Sequence, residues 1–165
     1  MIDTAEMYGS GKAEQLIGKA IQGYERDKLF LISKVYPHNA GRKHIFKSVQ
    51  QTLKNLKTDY LDMYLLHWRG AIPLEETVAC MEQLVKEGKI KSWGVSNFDT
   101  DDMEELFEIP EGTRQKNVIA IPRSGKAEHV LQNQMVWDIT LSDEEYAALN
   151  AAYPAPAYKT YLDIV

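Results

Sequence analysis

Apolar runs begin near residues 2, 29, 60, 90 and 118, so the chain returns to the same kind of segment about every 30 residues. Leu29-Phe30-Leu31-Ile32-Ser33-Lys34 is apolar on both faces, as strands are when helices cover both sides of a parallel sheet, Tyr60-Leu61-Asp62-Met63-Tyr64-Leu65-Leu66-His67 is a second apolar strand, and Ile90 to Val95 is the next. The intervals are helical. Ala13, Leu16, Ile17, Ala20 and Ile21 keep helical spacing before Gly23, and Ile45, Val49, Thr52, Leu53 and Leu56 keep it within Arg42 to Leu56. Leu74, Val78, Met81, Leu84 and Val85 do the same between a helix-starting Pro73 and a helix-ending Gly88. A shorter acidic helix passes through Met103, Leu106 and Phe107, and Asn117 to Pro122 reads as a last strand. Two closing helices are expected, Ala127 to about Met135 and Ser142 to about Tyr153, the latter opened by a Ser142/Glu145 capping box. Strands alternating with helices in this way predict a parallel sheet of about five strands built from βαβ units.

The chain has 165 residues, enough for one domain over residues 1–165, yet short of the roughly 250 of a complete eight-stranded α/β barrel. A net charge of -5 excludes a general nucleic-acid or anionic-membrane surface, because such partners need concentrated Lys and Arg to replace counterions. The single cysteine, Cys80, excludes an internal disulfide framework, and no apolar run approaches about 18 residues, so the cytoplasm is the expected compartment. Cys80 lies within the helix after Pro73, with no histidine near it in sequence, and reads as a buried structural thiol; His44 reads as an exposed helix residue. No cluster has metal-ligand spacing, and no GxGxxG follows a strand, which removes a Rossmann reading and leaves no metal expected.

In parallel α/β sheets ligands bind beyond the carboxyl ends of the strands. Here those ends carry Asp3 with Tyr8, then Lys34, His67, Ser96 with Asn97, and Arg123 with Ser124. One polar residue at a strand end is ordinarily a loop hydrogen bond, whereas several on one rim point to chemistry. A free tyrosine is a poor acid near neutral pH, with a reference pKa of about 10, but a neighbouring lysine ammonium favours its phenolate. Lys34 suits that part for Tyr8, Asp3 would hold the lysine, and His67 would orient a substrate oxygen. Together they make a proton-donating site for a carbonyl. Tyr36, His38 and Trp68 follow strand ends and are candidates for the substrate mouth, with packing or loop roles as the alternative.

Ile2-Asp3-Thr4-Ala5-Glu6-Met7-Tyr8-Gly9, Ile32-Ser33-Lys34-Val35, Leu65-Leu66-His67-Trp68, Gly94-Val95-Ser96-Asn97-Phe98 and Ile119-Ala120-Ile121-Pro122-Arg123-Ser124 resemble, in order, the successive motifs of the aldo-keto reductases, of bacterial type. The resemblance implies a partial TIM-type (β/α) barrel and an NADPH-dependent reduction of small aldehydes or ketones. By it, Asp3, Tyr8, Lys34 and His67 correspond to a catalytic tetrad, with Tyr8 as general acid. Ser96 and Asn97 correspond to the pair that holds the nicotinamide carboxamide. Arg123, Ser124, Gly125, Lys126, His129, Gln132 and Asn133 correspond to the segment around the adenosine 2'-phosphate and adenine of NADPH/NADP. Arg and Lys before a helix also suit a phosphate on physical grounds. Family members carry a hairpin and a strand ahead of the Asp3 segment, and two further βα units where this chain has Ile109 to Asn117, so a shortened barrel is expected. The alternative is an inactive α/β fragment that self-associates through unpaired sheet edges.

Overall fold

Spacing of apolar residues sets the order of elements in the computed structural model, which describes residues 1–112, 126–135 and 139–154. The chain runs β1 (Ile2–Asp3), α1 (Lys12–Ala20), β2 (Leu31–Val35), α2 (Ile45–Leu56), β3 (Leu61–Leu66), α3 (Leu74–Lys86), β4 (Ile90–Val95) and α4 (Thr100–Glu108). These elements belong to one compact unit, Met1–Lys116; a second unit, Asn117–Val165, holds α5 (Ala127–Gln134) and α6 (Asp143–Ala152). The strand expected at Asn117 to Pro122, with Arg123, Ser124 and Gly125, lies outside the described residues. So does the tail beyond Pro154.

Among the described residues the sheet has four parallel strands in the order β1-β2-β3-β4, with Ile32 beside Met63 and Met63 beside Ser92. No strand is skipped. Each crossover therefore advances in the same sense, which is how a barrel is wound, whereas a doubly wound sheet reverses at a switch point. The fold is a partial (β/α) barrel.

The apolar strands suggested helices on both sides of this sheet, whereas among the described residues α2, α3 and α4 share a core cluster with one strand face. Leu31, Val35, Tyr64, Leu66 and Trp93 share one core cluster with Val49 and Leu56 of α2, Leu74 and Met81 of α3 and Leu106 of α4. Ile32 and Leu65 are just as buried but stand outside that cluster. Side chains alternate along a strand, so Ile32, Lys34 and, through the register, Leu65 and Gly94 share the opposite face. A barrel needs apolar residues on that face because it becomes the interior.

Two contacts fix the helices. Gly18 of α1 crosses α2 so closely that a Cβ there would lie 2.2 Å from the Asn55 carbonyl oxygen and 2.8 Å from the Leu56 carbonyl carbon. Glu14, fully buried one turn earlier, accepts from Ser33 Oγ at 2.8 Å and Asn55 Nδ2 at 2.9 Å, tying α1 to β2 and α2. At the end of the strands away from the rim, buried Asp62 accepts from Arg26 and Lys91, each at 2.9 Å, and from the Leu31 N–H at 3.0 Å. The same two cations lie over the Tyr60 ring, 3.9 and 4.4 Å from its centroid. Burial pushes the Asp62 carboxyl up, but the Leu31 N–H, Lys91 and Arg26 outweigh it and hold it below the usual carboxylate range.

Boundaries moved where turn chemistry overrode periodicity. The helix expected from Arg42 begins at Ile45, after a turn in which the His44 N–H donates to the Gly41 carbonyl, and His44 is exposed at its N-cap. Cys80 is buried in α3, and that burial pushes its thiol up. The Ser142/Glu145 capping box forms, and a second box at Asp99 and Asp102 opens α4.

Candidate active site

Strand register brings the first charged pair together. Asp3 lies beside Ile32 in the β1–β2 ladder, so Lys34, two residues on, shares its face, and Lys34 Nζ reaches Asp3 Oδ1 at 2.6 Å. The same ammonium donates to the Thr4 carbonyl at 2.9 Å and to the Tyr8 hydroxyl oxygen at 3.3 Å. An ammonium has three protons, and these three partners account for them. Lys34 is 5% exposed, whereas Tyr8 is 39% exposed, so the cation is shielded while the phenol faces solvent. Tyr8 gets there through a tight loop: its N–H donates to the Ala5 carbonyl, and Gly9 and Gly11 take left-handed backbone at φ 57° and 83°.

His67, one residue past β3, meets the Tyr8 ring edge-on with centroids 5.7 Å apart. Burial, helped by the nearby Lys34 charge, lowers its pKa to about 4. His67 is thus neutral at pH 7, with one ring nitrogen carrying a proton; its Nδ1 is buried with no partner among the described residues. An NMR titration should place the His67 midpoint near 4, against about 6.5 in the unfolded chain. Because the unfolded chain takes up the proton first, this group's contribution falls as pH drops from about 6.5 toward 4 and is level below that. A midpoint above 6 would mean that the imidazole is not shielded as described.

Aromatic rings continue from His67. Trp68 stacks at a tilt on His67 with centroids 4.9 Å apart, Tyr36 meets Trp68 edge-on at 5.9 Å, and His38 stacks on Tyr36 at 4.8 Å. The three candidates for the substrate mouth, Tyr36, His38 and Trp68, therefore stand in one wall beside the tetrad positions. Ser96 and Asn97 follow β4; Asn97 Nδ2 donates to the His67 carbonyl at 2.9 Å and to Ser96 Oγ at 3.0 Å, and Asn97 takes left-handed backbone at φ 57°. Lys126, His129 and Gln132 are exposed residues of the second unit, and His129, Gln132 and Asn133 lie on α5. Among the described residues no group of three His, Cys, Asp or Glu could hold a metal, and no helix is long and apolar enough to cross a membrane.

Sequence reasoning passed over two residues that shape this rim. Glu6 Oε1 accepts from the Tyr36 N–H at 2.6 Å and from Asn39 Nδ2 at 3.1 Å. Arg69 forks onto Glu105 at 3.0 and 2.7 Å and donates to the Gly70 and Ile72 carbonyls, which ties the loop after β3 to α4. Their partners are main-chain groups or distant in sequence, so no local spacing marks them.

A sequence model described as the aldo/keto reductase family matches residues 1–115, which include the whole sheet and Asp3, Tyr8, Lys34 and His67. The chain belongs to the aldo/keto reductase family. Among its aldo/keto reductase relatives is the methylglyoxal reductase YeaE of Escherichia coli, 36% identical over all of this chain and 84% of the relative. That alignment spans 238 positions against 165 residues here, so a block of the relative has no counterpart. The glyoxal reductase of Bacillus subtilis is 39% identical over 67% of this chain and 40% of its own length. An aldo-keto reductase from Klebsiella pneumoniae solved in complex with NADPH superposes with a TM-score of 0.78 at 38% identity, covering 99% of this chain and 83% of that one.

Proposed function

We propose that this chain is an NADPH-dependent reductase of small aldehydes and ketones, with Tyr8 as the proton donor. The observation that carries it is the Lys34 ammonium, which is buried, held by Asp3, and donates its remaining proton to the exposed Tyr8 hydroxyl. A tyrosine donates a proton more readily when its phenolate meets a fixed positive charge in a shielded setting, and Lys34 supplies that charge. Asp3 holds the ammonium in place. His67, neutral and beside the Tyr8 ring, would donate a hydrogen bond to the carbonyl oxygen and turn it toward the phenol. Water then reprotonates Tyr8 from its exposed side.

The first unit has groups that fit a nicotinamide carboxamide: Ser96 brings a hydroxyl and Asn97 an amide to the rim beside His67. NADPH, when bound, supplies the hydride for the carbonyl carbon. Arg123, Ser124, Gly125, Lys126, His129, Gln132 and Asn133 are the residues proposed to hold its adenosine end, on the strength of the family pattern. The relatives named for methylglyoxal and glyoxal reduction make small dicarbonyls the first substrates to try. A cytoplasmic setting and a single working domain complete the reading.

The test is direct. The purified chain should quench or shift NADPH fluorescence and oxidise NADPH when methylglyoxal is added. A folded chain that does neither would overturn the reading and favour the inactive, self-associating fragment.

A further inference from the structure

Glu6 closes a ring of contacts around the mouth of the candidate site. Tyr8 touches His67, His67 touches Trp68, and Trp68 touches Tyr36, with centroid separations of 5.7, 4.9 and 5.9 Å. From Tyr36 the path returns through its own N–H to Glu6 Oε1 at 2.6 Å, and Glu6 is two residues from Tyr8. Asn39 Nδ2 occupies the same oxygen at 3.1 Å, and the Glu6 N–H donates to the Lys34 carbonyl at 3.2 Å. The side chain of one residue thus joins the loop that bears Tyr8 to the loop that bears Tyr36, while its main chain stays on β2.

We propose that Glu6 is a positioning residue that sets the separation between the Tyr8 hydroxyl and the Tyr36–Trp68 wall, and so determines how well a flat, aromatic carbonyl compound fits against that wall. This rests on the reading that Tyr8 serves the carbonyl. The charge of Glu6 matters less than its oxygen. A carboxylate oxygen can take both hydrogen bonds through its two lone pairs, and an amide oxygen in the same place retains that capacity. Besides the His67 ring contact and the bonds that Lys34 makes to the Glu6 N–H and Tyr8, Glu6 Oε1 is the described tie between the Tyr8 loop and Tyr36. Without the Glu6 carboxylate the wall keeps its ring contacts and the main-chain bond at Lys34 but loses the bond that fixes the Tyr36 N–H to the Tyr8 loop. A small dicarbonyl, which needs only the Tyr8 and His67 groups, is served almost as well. An aryl aldehyde, which has to lie along the wall, is not.

The experiment uses the full chain with Glu6→Ala and Glu6→Gln. Tryptophans are replaced biosynthetically by fluorotryptophan, and the Trp68 fluorine resonance is assigned by Trp68→Phe. Without any ligand, Glu6→Ala should move or broaden the Trp68 resonance and leave that of Trp93 in place, while Glu6→Gln should resemble the parent. In steady-state kinetics, Glu6→Ala should raise KM for para-nitrobenzaldehyde about tenfold, the size expected on losing one or two ordinary hydrogen bonds, with kcat and the methylglyoxal KM within about twofold. An unmoved Trp68 resonance would overturn the proposal. So would equal KM changes for both aldehydes, or a Glu6→Gln variant as impaired as Glu6→Ala. Should the parent chain fail to turn over any aldehyde, the proposed function falls, and the resonance comparison alone decides whether Glu6 positions the wall.

Discussion

Replacing Tyr8 by phenylalanine should lower turnover about 10²–10⁴-fold, the range lost when a positioned general acid is removed. The change takes away one oxygen and leaves the ring, so the edge-on contact with His67 persists. Lys34 keeps Asp3 and the Thr4 carbonyl, and gives up only its 3.3 Å bond to the hydroxyl. A partly exposed phenol contributes little to folding, so the melting temperature should stay within a few degrees, a change worth about 1 kcal/mol. NADPH affinity, read by fluorescence, should be unchanged. Turnover that survives the substitution would show that the proton comes from elsewhere, with His67 or water as the next donors to test.

Gly18→Ala should destabilise the first unit, because the added carbon meets main chain. Alanine raises helix propensity by about 1 kcal/mol over glycine, and at an open site this would prevail. At Gly18 the new Cβ would lie 2.2 Å from the Asn55 carbonyl oxygen and 2.9 Å from the Leu56 Cα, atoms that cannot turn aside. Helix α1 has to lift from α2, which strains the Glu14 bonds to Ser33 and Asn55 as well. Overpacking of this kind costs about 1–3 kcal/mol or more, so the net loss should be about 2 kcal/mol, seen as a fall on the order of 5 °C in thermal unfolding followed by circular dichroism. Gly23→Ala is the contrasting control, because no atom lies within 4 Å of a Cβ there and only its backbone, at φ 94°, resists. An unchanged melting temperature for Gly18→Ala would mean that the helices do not cross so closely.

Sequence periodicity located the four described strands well because their apolar runs are bounded by polar residues and turns. Strands β3 and β4 fall at Leu61–Leu66 and Ile90–Val95, within a residue or two of where the runs placed them. It also located Asp3, Lys34 and His67, since a parallel sheet collects strand ends on one rim whatever the details of its loops. The one-sided placement of helices was harder to read: a strand facing helices on one side and a barrel interior on the other is apolar throughout, like a strand between two helix layers. Distinguishing them requires the strand order, which no single run contains. Glu6 escaped notice for a different reason. Its partners are the main-chain N–H of Tyr36 and the amide of Asn39, and any residue type supplies a main-chain N–H. Pattern reading sees side chains, and this contact is made half of backbone.

Strand β1 is two residues long and, among the described residues, pairs with β2 alone. The described ties of this edge and the loop after it are main-chain bonds from Ile2, Thr4 and Glu6, the Lys34 bonds to Asp3, Thr4 and Tyr8, and the Glu6 carboxylate bonds to Tyr36 and Asn39. Short edges open at lower free energy than whole domains. When this edge peels away, Asp3 and Tyr8 leave together, and Lys34 loses all three of its partners at once. Inactivation by warming or mild denaturant would then precede melting, with helices and inner strands still folded around a site that has come undone from one side.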